Sequence, residues 1–276
     1  MKFLKFGEKY SKAFKEFIKK YEKENCEGKP FQITVLSGFN VKGAGKSKDY
    51  DFYCQHINCL ASINKGKVAD GALKFLYFID NGQSSSFLDI ENLTPYDFIV
   101  RKIKNKEEYL VIKLKGKSET TLFNSIIEEQ SKPLIIKSGS DVFEFHKTYE
   151  DYEGKVVIDN KKINVSLYPK SNTTDATESL NTYNKIKNDF KNFYNTILSQ
   201  CSKNMVSMAN EWREEGDTHE ITADEIFKRI DSDSFDLEVR NTKYTIYLDD
   251  GDLFFGHTIM YKGNIDNEEF STTIAG

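Results

Sequence analysis

Between residues 175 and 212 the apolar side chains Tyr183, Ile186, Phe190, Phe193, Ile197, Cys201, Met205, Met208 and Trp212 recur at the spacing of one helix face. A stripe this long needs a partner surface to bury it, and packing in a core is the reading that fits, ahead of a ligand-binding aromatic face. Asp175, with Glu178 three residues on, marks the start of this helix. The segments around it read as strands: short runs rich in Phe, Tyr, Ile and Val, bounded by Gly, Asn and Asp. One long helix set among strands points to an α+β fold with mainly antiparallel sheets. The regular strand–helix alternation of a parallel α/β sheet is missing.

A second amphipathic helix is expected over residues 8–24, where Tyr10, Ala13, Phe14, Phe17, Ile18 and Tyr21 share a face. Its lysines are diluted by Glu8, Glu16, Glu22 and Glu24, so docking on a sheet fits it better than lying on a membrane. Strands are expected at 31–36, 72–80, 97–103, 108–114 and 134–137, with a short helix at 119–130. The stretch Lys137-Ser138-Gly139-Ser140 is the best candidate for a boundary. Beyond it, strands are expected at 142–148, 154–159 and 162–168. After the long helix, Thr222 and Glu225 form a T-x-x-E capping box for a short helix bearing Ile226, Phe227 and Ile230. Runs at 234–240, 243–248, 253–263 and 269–274 close the chain.

Charge divides the chain as the strands do. Residues 1–140 carry 24 Lys+Arg and 17 Asp+Glu, a net +7; residues 141–276 carry 15 and 26, a net −11. The asymmetry fits two modules, a basic one over 1–140 and an acidic one over 141–276, and equally complementary faces packed on each other within one molecule; two modules are the expectation taken forward. The net charge of −4 gives no global reason to expect direct nucleic-acid binding. With 21 Phe and 15 Tyr, the chain has ample material for packed cores. Charged residues Lys5, Glu8 and Lys9 interrupt the apolar run that a leader would need, and no stretch approaches a membrane span, so a cytoplasmic location is expected. The 4 cysteines are too few for a disulfide framework. Cys54, His56 and Cys59 lie close in sequence, but no second ligand pair accompanies them, so reduced thiols and no metal are expected.

Motifs for catalysis are thin. Gly43-Ala44-Gly45-Lys46-Ser47 looks like the end of a phosphate loop, but the position for its first glycine holds Asn40. Phe75–Asp80 resembles the acid-ended strand that would accompany such a loop. Neither a G-x-S-x-G nor an H-E-x-x-H occurs, and His56, His146, His219 and His257 are scattered. No catalytic residue and no cofactor are assigned.

The most distinctive stretch is Tyr247-Leu248-Asp249-Asp250-Gly251-Asp252-Leu253-Phe254-Phe255-Gly256-His257-Thr258-Ile259. It reads as a β-hairpin with a tight turn at Asp250-Gly251, and Leu253, Phe255, His257, Ile259 and Tyr261 on one face of the outgoing strand. Gly256 would allow close approach of a backbone or ligand. The stretch resembles an uncharacterised bacterial family, the domain of unknown function twenty-two sixty-two. Members share an Asp-Gly-Asp turn, a Gly-His pair and an ending similar to Ile274-Ala275-Gly276. The resemblance extends back through Asn210-Glu211-Trp212, Ile221–Ile230 and Phe143–Leu167, with Phe255 where the family has a tryptophan. It implies no activity.

The expected function is accordingly a non-enzymatic bacterial protein-binding module. Its concrete form is an immunity protein that covers a basic toxin. The candidate contacts are Glu214, Glu215, Asp217 and Glu220 in one acidic loop and Asp249, Asp250 and Asp252 at the hairpin. The alternative is a nucleotide-binding or hydrolytic enzyme using Lys46 and Ser47 in the glycine loop, or Asp252 with His257.

Overall fold

The computed structural model describes residues 11–39, 44–46, 52–64, 66–80, 88–171, 173–214, 216, 218–267 and 269–276. The described residues form 5 helices and 14 strands in mostly antiparallel sheets, an α+β architecture. It divides into two compact units, Met1–Lys132 and Pro133–Gly276.

In the first unit, helix α1 (Lys12–Asn25) precedes β1 (Cys26–Ser37), β2 (Ala44–Lys46), β3 (Tyr53–Asn64), β4 (Lys67–Ile79), β5 (Pro95–Ile103) and β6 (Glu108–Lys117), and α2 (Asn124–Ser131) follows. The sheet order is β1-β5-β6-β4-β3-β2, and a further β1–β3 pairing closes it into a barrel. β4 and β6 run parallel and the other pairs antiparallel. This is the connectivity of a five-stranded Greek-key barrel of the OB type. Ile33, Val35, Ile57, Phe75, Tyr77, Phe98 and Val100 fill its interior.

Ser11 caps α1, its hydroxyl accepting from the Phe14 N–H at 3.1 Å. The helix lays Phe14, Phe17, Ile18 and Tyr21 against Phe78, Leu76 and Leu110 on the barrel. The expected stripe is thus found at Phe14, Phe17, Ile18 and Tyr21, while Ala13 is exposed; Glu8 and Tyr10 lie outside the described residues.

In the second unit, β7 (Ile135–Ser138), β8 (Asp141–His146), β9 (Asp151–Ile158) and β10 (Lys161–Tyr168) form a meander. Helices α3 (Thr177–Asn188), α4 (Phe190–Glu211) and α5 (Ala223–Ile230) lead to β11 (Ser234–Arg240), which pairs parallel with β10. A second meander of β11, β12 (Lys243–Asp249), β13 (Thr258–Asn264) and β14 (Phe270–Ala275) completes an eight-stranded sheet in the order β14-β13-β12-β11-β10-β9-β8-β7.

The expected single long helix is two, broken at Asp189 (φ −129°, ψ 39°), where Asn188-Asp189 puts two weak helix formers in succession. Asp175 accepts from the Thr177 N–H at 3.1 Å but is not itself the cap residue, a place taken by Ala176. The Gly139 stretch read as a boundary is the turn of the β7–β8 hairpin, with Gly139 at φ +61°. β7 therefore pairs within the second sheet.

All three helices cover one face of this sheet. Tyr183, Ile186, Phe190, Ile197, Cys201, Met205, Ile226 and Ile230 pack against Val165, Leu237, Val239, Ile246 and Ile259. The capping box of α5 is present in full: the Thr222 hydroxyl accepts from the Glu225 N–H at 3.3 Å and the Glu225 carboxylate from the Thr222 N–H at 2.8 Å.

Candidate functional site

The hairpin expected around Asp250-Gly251 is a longer loop. β12 ends at Asp249 and β13 starts only at Thr258, so Leu253, Phe255 and His257 are not on one strand face. Leu253 and Phe254 turn into the core while Phe255 is 67% exposed. The loop is built on Asp250. Its carboxylate, 2% exposed, accepts from the backbone N–H of Asp252 at 3.0 Å, Phe254 at 2.8 Å and Gly256 at 3.0 Å. Gly251 sits at φ +57°, where a Cβ would lie 2.5 Å from the Arg229 carbonyl, and the Arg229 Nε–H donates to the Gly251 oxygen at 2.8 Å.

Asp252 (φ 60°) and Phe255 (φ 55°) also adopt the left-handed conformation. Each costs a non-glycine residue about 1–2 kcal/mol. Three hydrogen bonds to a buried charge, at about 1.5–3 kcal/mol each, outweigh that cost. The strain is thus maintained, and its product is an outward-facing aromatic ring.

Phe255 stacks on Trp212 at the end of α4, with centroids 6.0 Å apart and planes 26° apart. Phe254 and His257 meet the same indole edge-on at 5.7 and 5.3 Å. The His257 Nδ1–H donates to the Phe254 carbonyl at 2.5 Å, which assigns the tautomer. Among the described residues no hydrogen bond joins His257 to Asp252, so the pair proposed for hydrolysis is not assembled. Gly256 owes its presence to φ +80° rather than to a close neighbour, since a Cβ there would meet nothing within 4 Å.

The two acidic segments picked from the sequence flank Trp212 and Phe255 along the chain. Glu214 lies two residues beyond Trp212 and is exposed, as is Glu220. Asn210 ties the segment down, donating to the Ile221 carbonyl and accepting from its N–H at 2.8 and 2.9 Å, and Arg213 donates to the His219 carbonyl at 2.6 Å. Asp249 and Asp252 are exposed in the neighbouring loop. Asp250 is corrected from a contact to a scaffold, because both its oxygens are spent on backbone N–H groups inside the loop. Glu215 and Asp217 lie outside the described residues.

The glycine loop does not form a phosphate cradle over its described part. Ala44–Lys46 is a strand, with Gly45 opposite Cys54 and Lys46 opposite Tyr53. Gly43 and Ser47 lie outside the described residues. Asp80, at the end of the would-be magnesium strand, instead holds the start of α1, accepting from the Ser11 N–H at 2.6 Å and its hydroxyl at 3.1 Å. Barrels of this type bind ligands on the outer face of their second and third strands. Here Cys54, Leu76 and Phe78 of that face lie under α1, with Phe17 and Tyr21 edge-on to Phe78 at 5.0 and 4.8 Å.

A feature the sequence reading passed over is the sheet face of the second unit that the helices leave open. It forms a groove of about 770 Å³ lined by Glu144, Glu153, Asn164, Asp236, Glu238 and Tyr247, among others. These residues alternate with core positions along β8 to β12, a pattern indistinguishable in sequence from an ordinary solvent-facing strand surface. Their convergence depends on register across five strands.

Fold and site together describe an α+β domain with a helix-backed mixed sheet and an aromatic patch raised on an aspartate-capped loop. Residues 141–274 match the model of a family described as an uncharacterized protein conserved in bacteria (DUF2262), a match that spans most of the second unit. None of the curated proteins matches the chain. Among the described residues no helix is long and apolar enough to cross a membrane.

Proposed function

We propose that the protein is a non-enzymatic, cytoplasmic binding module that docks a basic protein on the Trp212–Phe255 patch. The observation that carries this reading is Phe255, exposed over two-thirds of its surface in a left-handed backbone conformation that Asp250 enforces. Strain of this kind persists where surrounding structure over-determines it, and such places are enriched in binding sites. An aromatic anchor inside a polar rim is the usual anatomy of an interface hot spot. Burying the Phe255 ring would contribute roughly 1.5–3 kcal/mol.

Asp249, Asp252, Glu214 and Glu220 supply the rim, and their sign selects a basic partner while accelerating encounter. An immunity protein that covers a basic toxin is the concrete form of such a module. The test is retention of proteins from the source cytosol on wild-type and Phe255→Ala baits, followed by a salt gradient. A stoichiometric basic partner, released by salt and held about tenfold or more weakly by Phe255→Ala, is expected. Equal retention by the two baits, or no stoichiometric partner, refutes the reading.

A further inference from the structure

The sheet of the second unit ends on β7 at one side and on β14 at the other, and among the described residues no further strand pairs with either. The two edges are built differently. β7 is four residues long, starts two residues after Pro133 and carries Lys137, all devices that guard an edge against pairing with another chain. β14, Phe270–Ala275, has six residues and neither a charge nor a proline. Its register with β13 runs unbroken from Thr258 opposite Ala275 to Gly263 opposite Phe270, so no bulge turns it away. Every second residue along it directs its N–H and C=O outward, away from β13.

The side chains add an independent observation. A row of rings runs from α4 outward along the helix-backed face of the sheet. Phe193 meets Tyr244 edge-on at 5.0 Å, Tyr244 stacks on Tyr261 at 6.1 Å, and Tyr261 stacks on Phe270 at 5.5 Å with planes 11° apart. The row stops there, with Phe270 39% exposed. Ile274, four residues along on the same face, packs on the core and is only half-buried. An aromatic and a β-branched side chain therefore lie open beside unpaired backbone.

With no charge in the strand, nothing there selects a charged peptide, and the side chains complement a second β14 instead. Residues opposite each other in an antiparallel pair share a face, so a two-fold axis through a residue keeps both helix layers on one side. An axis at Thr273 would set Phe270 opposite Gly276 of the partner subunit. An axis at Thr272 sets Phe270 opposite Ile274 of the partner subunit, and symmetry makes that contact twice. Aromatic–β-branched pairs of this kind stabilise a sheet. Ser271 then meets Thr273 of the partner subunit, and no like charges are opposed.

We propose that two copies of the chain pair through β14, antiparallel about Thr272, and join their sheets into one. The inference rests on neither the Phe255 patch nor the acidic segments. A six-residue seam buries less than the roughly 1,200 Å² at which standard interfaces begin, so the dimer is weak, with a dissociation constant on the order of 10 μM.

The test is sedimentation equilibrium of the full chain from about 1 to 200 μM. A monomer–dimer equilibrium that goes no further is expected, since a two-fold pairing uses up both β14 edges. Ser271→Glu/Thr273→Glu opposes like charges at two places and should weaken the dimer about tenfold or more. Ser271→Glu/Thr273→Lys opposes unlike charges there and should keep wild-type affinity or better. Both substituted positions are exposed, and the glutamate at 271 falls opposite Lys262, so both variants should fold. Should the double glutamate fail to fold, Phe270→Ala carries the same expected weakening. Phe255→Ala should dimerise as the wild type does. A chain still monomeric at about 200 μM overturns the proposal. So does a dimer that the double glutamate leaves intact, one lost equally in the two double variants, or one lost in Phe255→Ala.

Discussion

Removing the Asp250 carboxylate should cost the second unit more than any other single polar change in its loops. Asp250→Ala deletes the acceptor of three backbone N–H groups, one of them on Phe254, which is 0% exposed. Hydrogen bonds to a charged group contribute about 1.5–3 kcal/mol each, and bonds that share one acceptor add less than fully. A loss of about 3–5 kcal/mol follows, a large part of the roughly 5–15 kcal/mol that stabilises a domain. Asp250→Asn should fall between, since its amide NH₂ would face donors where an oxygen now accepts. The assay is urea unfolding followed by fluorescence of Trp212, the 1 tryptophan of the chain, whose ring lies 5.7 Å from Phe254 and reports the second unit alone. With a urea slope of about 2 kcal/mol per molar, the Asp250→Ala midpoint should fall by about 2 M. A fall below about 0.5 M would show that Leu253 and Phe254 hold the loop by packing and that the carboxylate is incidental.

Two further outcomes follow from titrating groups. The Thr222 N–H, then His219 and the Thr222 hydroxyl, lower the Glu225 carboxyl from 4.5 to about 2. A depressed carboxylate stabilises the fold above its unfolded value and loses that contribution as pH falls toward the folded one. Trp212 urea midpoints should therefore drop from about pH 4.5 downwards in the wild type and less steeply in Glu225→Gln; parallel curves would refute the capping assignment. Burial pushes the Cys201 thiol up to about 12 and the Cys59 thiol further, and both are at most 1% exposed. Since the thiolate is the reactive form, a disulfide reagent should label half-buried Cys54 first and reach Cys59 and Cys201 only on unfolding. Rapid native labelling of Cys59 would count against the barrel interior described here.

Elements whose signals are local were readable in advance. The Thr222–Glu225 box, the Phe14–Tyr21 stripe and the strands at β10, β11 and β12 depend on residues a few positions apart, and each is found within about a turn or a strand end of where it was expected. β3 was not readable. Its inward side chains include Gln55, Cys59 and Ala61, a poor strand pattern. Gln55 is tolerated inside because both ends of its amide bond the Leu88 backbone, at 3.0 and 3.1 Å, from 33 residues away. The loop at Asp250-Gly251 misled in the other direction. Asp-Gly is a strong signal for a two-residue turn, but Asp250 bonds forward to Phe254 and Gly256 and holds the chain back from the strand until Thr258.

By itself the sequence determined the α+β class, the amphipathic helices, most of the strands, the family resemblance of the second half and the two acidic segments. These rest on periodicity, capping and turn chemistry acting over a few residues, or on motifs read as a string. Tertiary structure alone decided that the first sheet closes through the β1–β3 pairing, that Trp212 meets Phe255, and that Glu144, Glu153, Asp236 and Glu238 line one groove. Those arrangements are set by strand register and by side chains far apart in the chain. A shift of one residue in register would send every carboxylate of the groove to the opposite face of its strand.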